Sequence, residues 1–149
     1  MIKAEVKGLD RLQADLKKLF PEAQKKFLKL ASTAIFKDIA KNFEAEKDSG
    51  NQKWKRFKWP DGKIRNQRPT RRGGTKLLQD TGRLKNSVLP FVEKNAAGAR
   101  TNLEYAVYHN EGTKRIPRRE FAYARPETEE KLEKYLADEI GKQWDKGTA

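Results

Sequence analysis

Leu28-Lys29-Leu30-Ala31-Ser32-Thr33-Ala34-Ile35-Phe36-Lys37-Asp38-Ile39-Ala40-Lys41-Asn42-Phe43 is the stretch on which the fold turns. Leu28, Ala31, Ile35, Ile39 and Phe43 recur at spacings of three and four. Lys25, Lys26, Lys29, Lys37, Asp38 and Lys41 occupy the other arc, which makes the stretch an amphipathic helix. Pro21 suits its first position, where the missing N–H is no loss. From Pro21 to about Glu46 such a helix runs roughly 39 Å at ~1.5 Å per residue, and its single apolar stripe requires a partner.

Upstream, Leu9, Leu12, Leu16 and Leu19 predict a shorter helix that Phe20-Pro21 interrupts, and the alternation of Ile2–Val6 fits an edge strand. Downstream, Lys76-Leu77-Leu78-Gln79 resumes structure with a strand over Leu77–Gln79. Asp80 or Thr81 is placed to cap one helical turn near Gly82. Ser87–Glu93 reads as a strand whose Pro90 marks an edge or bulge, and Ala96-Ala97-Gly98 turns into a return strand over Ala99–Leu103. Tyr105–His109 leads into the turn Asn110-Glu111-Gly112, and a third strand is expected near Glu120–Tyr123. Pro126 opens a last helix, with Glu127, Glu129 and Glu130 at the positive end of its dipole and Leu132, Tyr135, Leu136, Ile140 and Trp144 on its apolar face. These elements predict an α+β fold: a small antiparallel sheet packed against a long N-terminal amphipathic helix and a C-terminal helix, with a long basic loop. Residues 1–149 read as a single domain, and residues 48–75 as a long basic arm.

The chain has 149 residues, with 34 Lys and Arg against 21 Asp and Glu, a net charge of +13. A hydrophobic fraction of 36% and a charged fraction of 37% imply a thin core under a generous surface, while fourteen aromatic residues argue against full disorder. The absence of Cys excludes disulfides, thiolate zinc sites and a cysteine nucleophile, and a single His excludes any site that needs two imidazoles. No apolar run reaches the roughly 20 residues that span a bilayer, so the expectation is a soluble protein made in the cytosol, with no membrane partner.

The cations concentrate in the arm. Lys53, Lys55, Arg56, Lys58, Lys63, Arg65, Arg68, Arg71 and Arg72 face one acid, Asp61, and Trp54, Phe57 and Trp59 are interleaved with them. Three readings stay open for this pattern. The arm docks on acidic protein with the Trp side chains as anchors, it is a solvated loop, or it holds nucleic acid through phosphate neutralisation and base stacking. His109 with Glu111 suggests an acid–base pair, half a metal site or the heart of a small nuclease, against the plainer reading of a structural histidine. Asp80, Thr81 and Ser87 lack a base that would make any of them a nucleophile, and Gly73-Gly74-Thr75-Lys76 lacks the spacing of a phosphate loop. No catalytic residue, cofactor, metal or small-molecule substrate is therefore expected.

Two stretches carry a resemblance. Lys76-Leu77-Leu78-Gln79-Asp80-Thr81-Gly82-Arg83-Leu84-Lys85-Asn86-Ser87-Val88 resembles the Leu-x-x-Thr-Gly-x-Leu-x-x-Ser signature of the phage virion morphogenesis family, the tail-completion proteins of tailed phages such as Mu. Its matching residues are Leu78, Thr81, Gly82, Leu84 and Ser87. A second stretch, Asn102–Thr113 followed by Ile116–Phe121, is similar to that family's Tyr-Ala-x-x-His-x-x-Gly and Pro-x-Arg-x-Phe element through Tyr105, Ala106, His109, Gly112, Pro117, Arg118 and Phe121. The likeness implies a non-enzymatic bacteriophage structural protein, a neck or head–tail connector component that acts in virion assembly as a ring of six or twelve copies. Its implied partners are other neck proteins, whether head-closure protein, adaptor, tail terminator or tail tube. Its implied place is the head–tail junction of the virion, after a stay in the host cytoplasm. The residues expected to face a neighbouring subunit or passing genomic DNA are Lys53, Trp54, Lys55, Arg56, Phe57, Lys58, Trp59, Arg65, Arg68, Arg71 and Arg72. The Arg118–Arg119 turn is expected to meet Glu127, Glu129 or Glu130 across the seam. The alternative is a sequence-independent nucleic-acid-binding module.

Overall fold

In the computed structural model of the chain, the described residues are 2–4, 21–56 and 76–147. They form β1 (Ile2–Ala4), α1 (Pro21–Ala45), α2 (Arg83–Ser87), β2 (Leu89–Val92), β3 (Ala97–Thr101), α3 (Tyr105–Glu111) and α4 (Pro126–Gly147). β2 and β3 make an antiparallel hairpin in the register Leu89↔Arg100 to Val92↔Ala97, and β1 adds to the far side of β3 as a short third strand. The helix expected over Leu9–Leu19 and the arm residues from Phe57 to Thr75 lie outside the described residues.

The expected architecture is corrected. Instead of a sheet shared by a long N-terminal helix and a C-terminal helix, the described residues form four helices, two of them short, around a very small sheet. Three strands spaced ~4.8 Å apart give a face about 14 Å wide, whereas two helices packed side by side need roughly 20 Å. Only α1 therefore lies on the sheet. α4 packs on α1 instead, where Leu132 and Leu136 meet Ala23, Phe27, Leu28 and Ala31, with Ala97 the one sheet residue they share. The third strand expected near Glu120–Tyr123 is absent as well. That segment is unpaired with the sheet, because side chains of α1 and α3 take up its backbone groups.

Those side chains are polar residues at core-facing positions of α1. Asn42, fully buried, donates from Nδ2 to the carbonyls of Phe121 (3.1 Å) and Tyr123 (3.0 Å) and accepts from Arg125 Nε through Oδ1 at 2.9 Å. Asp38 Oδ2 accepts the Arg125 N–H at 2.9 Å, and Ser32 Oγ donates to the Gly98 carbonyl at 3.0 Å. A buried polar group without such partners is destabilising by several kcal/mol, of order 2–7, so these residues fix how the strap 121–125 and the hairpin seat on α1. Around the C-terminal half of α1, Ile35, Ile39 and Phe43 gather Ile2, Trp54, Leu77, Leu84, Val88, Ala99, Ala106 and Phe121 into the main core.

Pro90 has a clear place. Glu93 N–H donates to Ala96 O at 2.7 Å, so alternation along the ladder makes Phe91↔Gly98 and Leu89↔Arg100 the hydrogen-bonded pairs and turns the backbone of Pro90 and Val92 outward. The missing N–H of Pro90 thus falls on the outer side of β2, where it removes a donor that another chain would use.

Candidate interaction surface

Both resemblance stretches converge on the C-terminal end of α1. From the first, Gln79 Nε2 donates to the Phe43 carbonyl at 2.9 Å, and Lys76 and Lys85 both pair with Glu44. Leu77 and Leu84 are buried. The strand expected over Leu77–Gln79 is instead a turn, with Leu78 at φ 61°. Gly82, in the left-handed region at φ 72°, precedes α2 as its N-cap residue, and Thr81 Oγ1 accepts from Arg83 N–H, the first N–H of that helix, at 3.3 Å. Ser87 Oγ lies 2.6 Å from Thr101 Oγ1 and donates to the Leu84 carbonyl, which ties α2 to β3.

The second stretch closes on itself. Tyr105–Glu111 is a helix, and its last carbonyls are met by Gly112, whose N–H donates to Tyr108 O at 3.0 Å. Gly112 has φ 78° and ψ 169°, and a Cβ built there would sit 2.7 Å from the Arg118 nitrogen. Between these two residues the chain makes a compact turn, with Thr113 N–H donating to Ile116 O and Thr113 Oγ1 accepting from the N–H groups of Arg115 and Ile116. Asn110 Oδ1 accepts from Phe121 N–H and Ala122 N–H, so the helix holds the start of the strap. Pro117 is half-buried, and Phe121 stacks on Phe43 with ring centroids 4.9 Å apart. Of the matching residues Leu84 and Tyr105, Leu84 is buried but Tyr105 is at the surface, and Ala106 is the α3 residue that enters the core.

Arg119 decides how the second stretch meets the arm. Its side chain is fully buried; its N–H donates to His109 O at 2.7 Å and its Nε to the Lys55 carbonyl at 3.0 Å. Burial holds it below the ordinary arginine value. Its guanidinium is therefore not part of the exposed turn expected to meet Glu127, Glu129 or Glu130, and Arg118 pairs with Glu120 at 3.0 Å. Sequence alone misses this, because an Arg-Arg pair beside a proline reads as a solvent-exposed turn.

The arm enters in the same place. Trp54 is buried: its ring meets Phe43 edge-on at 6.1 Å and its Nε1 donates to Glu120 O at 3.0 Å. Lys53, Lys55 and Arg56 are exposed, with Arg56 paired to Glu46 at 2.9 Å. The other oxygen of Glu46 accepts the Leu77 N–H, so one carboxylate ties both flanks of residues 57–75 to the end of α1. Phe57, Lys58, Trp59, Arg65, Arg68, Arg71 and Arg72 lie outside the described residues.

His109 and Glu111 do not make a pair. Two residues apart on a helix they point about 200° from one another, and Glu111 is exposed. His109 Nδ1 is buried with no hydrogen-bond partner among the described residues, and burial, then the Arg119 charge, hold the imidazole below its ordinary pKa. The described residues contain no group of three or more His, Cys, Asp or Glu that could hold a metal ion, and no helix long and apolar enough to cross a membrane. What α3 does present is Tyr105 and Tyr108, three apart on one face and both exposed, while Leu89 and Val92 are exposed on β2. Comparisons with protein-family models, with curated proteins and with solved structures find no match for the chain.

Proposed function

We propose that the chain is a structural protein of phage virion morphogenesis, a neck or tail-completion component that assembles as a homo-oligomeric ring at the head–tail junction. The observation that carries this reading is the convergence of the two resemblance stretches on one end of α1. Leu84, Ser87, Ala106, Gly112 and Phe121 serve as packing, hinge and hydrogen-bonding positions of a single scaffold there, which accounts for their pattern without assigning any of them a reaction. Exposed tyrosines on α3 favour an interaction role, since Tyr is enriched where proteins bury one another's surface.

Cyclic rings pair one patch with a different patch on the neighbour, and this chain offers distinct ones on α3, with Tyr105 and Tyr108, and on β2, with Leu89 and Val92. Copies that each carry +13 require screening or an anionic partner to sit side by side. The test is incorporation. Particles produced with a tagged chain carry the tag at the head–tail junction, and cells lacking the chain accumulate separate heads and tails. Joined, infectious particles formed without the chain would overturn the proposal.

A further inference from the structure

Arg119 brings together two basic segments that are some sixty residues apart in sequence. Its Nε bond to the Lys55 carbonyl fixes the root of the arm beside the neck of the 113–118 turn. Residues 46–56 and 111–120 together carry eight Lys and Arg against four Asp and Glu. The acids are engaged: Glu46 with Arg56, Glu120 with Arg118 and Ser49, and Asp48 Oδ1 with the Gln52 N–H, which leaves only exposed Glu111. Lys53, Lys55, Lys114 and Arg115 are exposed, and no carboxylate among the described residues pairs with any of them.

The chemistry of a partner follows from what this surface lacks. A protein interface is usually anchored by a buried aromatic and is poor in Lys at its centre, but the Trp of this segment, Trp54, is spent inside the fold. Single-stranded nucleic acid is held by stacking on exposed rings, and Trp54 is withdrawn from that role too. What remains among the described residues of these two segments is a set of cations with no exposed aromatic side chain, suited to a regular array of phosphates. The turn is held by its own Thr113 bonds, so little ordering entropy is lost when it is used. Duplex DNA offers one charge per ~1.7 Å of axis, and neutralising it releases counterions whatever the base sequence.

We propose that the surface built from Lys53, Lys55, Lys114 and Arg115 is a sequence-independent binding site for the phosphate backbone of duplex DNA. The site stands whether or not the chain forms rings, because all four residues belong to one subunit and are joined within it by Arg119.

The test is fluorescence anisotropy of labelled duplexes of about 20 base pairs, in two unrelated sequences, titrated with the full chain between 50 and 200 mM salt. Each phosphate contact contributes about 0.9 to the slope of log affinity against log salt. Replacing all four residues by Gln is expected to flatten that slope by about 3.6, so wild type loses about 150-fold more affinity over this range than the variant. A second variant removes the same charge from α4, with Gln at Lys131, Lys134, Lys142 and Lys146, all exposed; it is expected to keep the wild-type slope. Circular dichroism confirms that both variants fold. The proposal is overturned by an unchanged slope in the first variant, by equal losses in both, by affinity that depends on duplex sequence, or by tighter binding of a poly-glutamate peptide than of duplex at equal salt. Light scattering on the same samples reports oligomeric state separately, so a failure of ring assembly and a failure of this site are distinguishable.

Discussion

Gly112→Ala is the substitution that most sharply probes how the second stretch is built. The backbone there lies at φ 78° and ψ 169°, a region that is essentially restricted to glycine and costs another residue about 1–3 kcal/mol. An added Cβ would also lie 2.7 Å from the Arg118 nitrogen and 3.0 Å from its Cα. Both are backbone atoms, and Arg118 is followed by the fully buried Arg119, so the clash cannot be relieved by a flexible side chain. Forcing the chain apart adds about 1–3 kcal/mol. Against this, alanine reduces the freedom of the unfolded chain and returns about 0.4–1 kcal/mol. The net expectation is a loss of about 3 kcal/mol out of the roughly 5–15 typical of a domain. In urea, with a slope of ~1–3 kcal/mol per molar, the midpoint falls by about 1–3 M. In a thermal scan, at about 2–4 °C per kcal/mol, the transition falls by roughly 10 °C. A urea midpoint within about 0.3 M of wild type would refute the reasoning, since neither the positive φ nor the close approach to Arg118 would then be real constraints.

Three further outcomes follow from the same description. Gly141→Ala, on an exposed turn of α4 with nothing within 4 Å of the added Cβ, stabilises by about 0.8–1 kcal/mol in the same urea assay. Asn42→Ala leaves the carbonyls of Phe121 and Tyr123 and the Nε of Arg125 without their partner, and lowers stability by about 3 kcal/mol, whereas a loss below about 1 would remove Asn42 from its role in seating the strap. His109 has its pKa lowered by burial and by Arg119, so the folded protein favours the neutral ring; its contribution is complete above the unfolded value of about 6.5 and is lost as pH falls below it. Urea midpoints between pH 7.5 and 5 should therefore decline with acid in wild type and decline less in His109→Gln.

How much of this is legible in the sequence depends on the kind of residue. α1 is legible because its period is long and uninterrupted, and Pro21 marks its start. The hairpin is legible from β-rich residues either side of Ala96. The layering is not, because periodicity reports which face of α4 is apolar and not whether that face meets a sheet or another helix. Tyr105–Glu111 is too short for its period to be separated from a turn. The polar core is hidden for a different reason: Asp38, Asn42 and Arg119 are residue types that ordinarily face water, and only tertiary partners offset their burial. Trp54 is hidden by its neighbours, since a tryptophan between lysines reads as an exposed arm, while the fold uses it to close the core over Phe43. The resemblance stretches name Gly112 and Phe121 but say nothing of Asn110, Glu46 or Arg119, which hold them in place.

Native mass spectrometry of the purified full chain, recorded over a range of protein concentration and ionic strength, tests the ring most directly. The expected result is a closed assembly of six or twelve copies of the 17.2 kDa chain, with few intermediate sizes. A species of 17.2 kDa at every concentration, unchanged when neck proteins from the same particle are added, would contradict it.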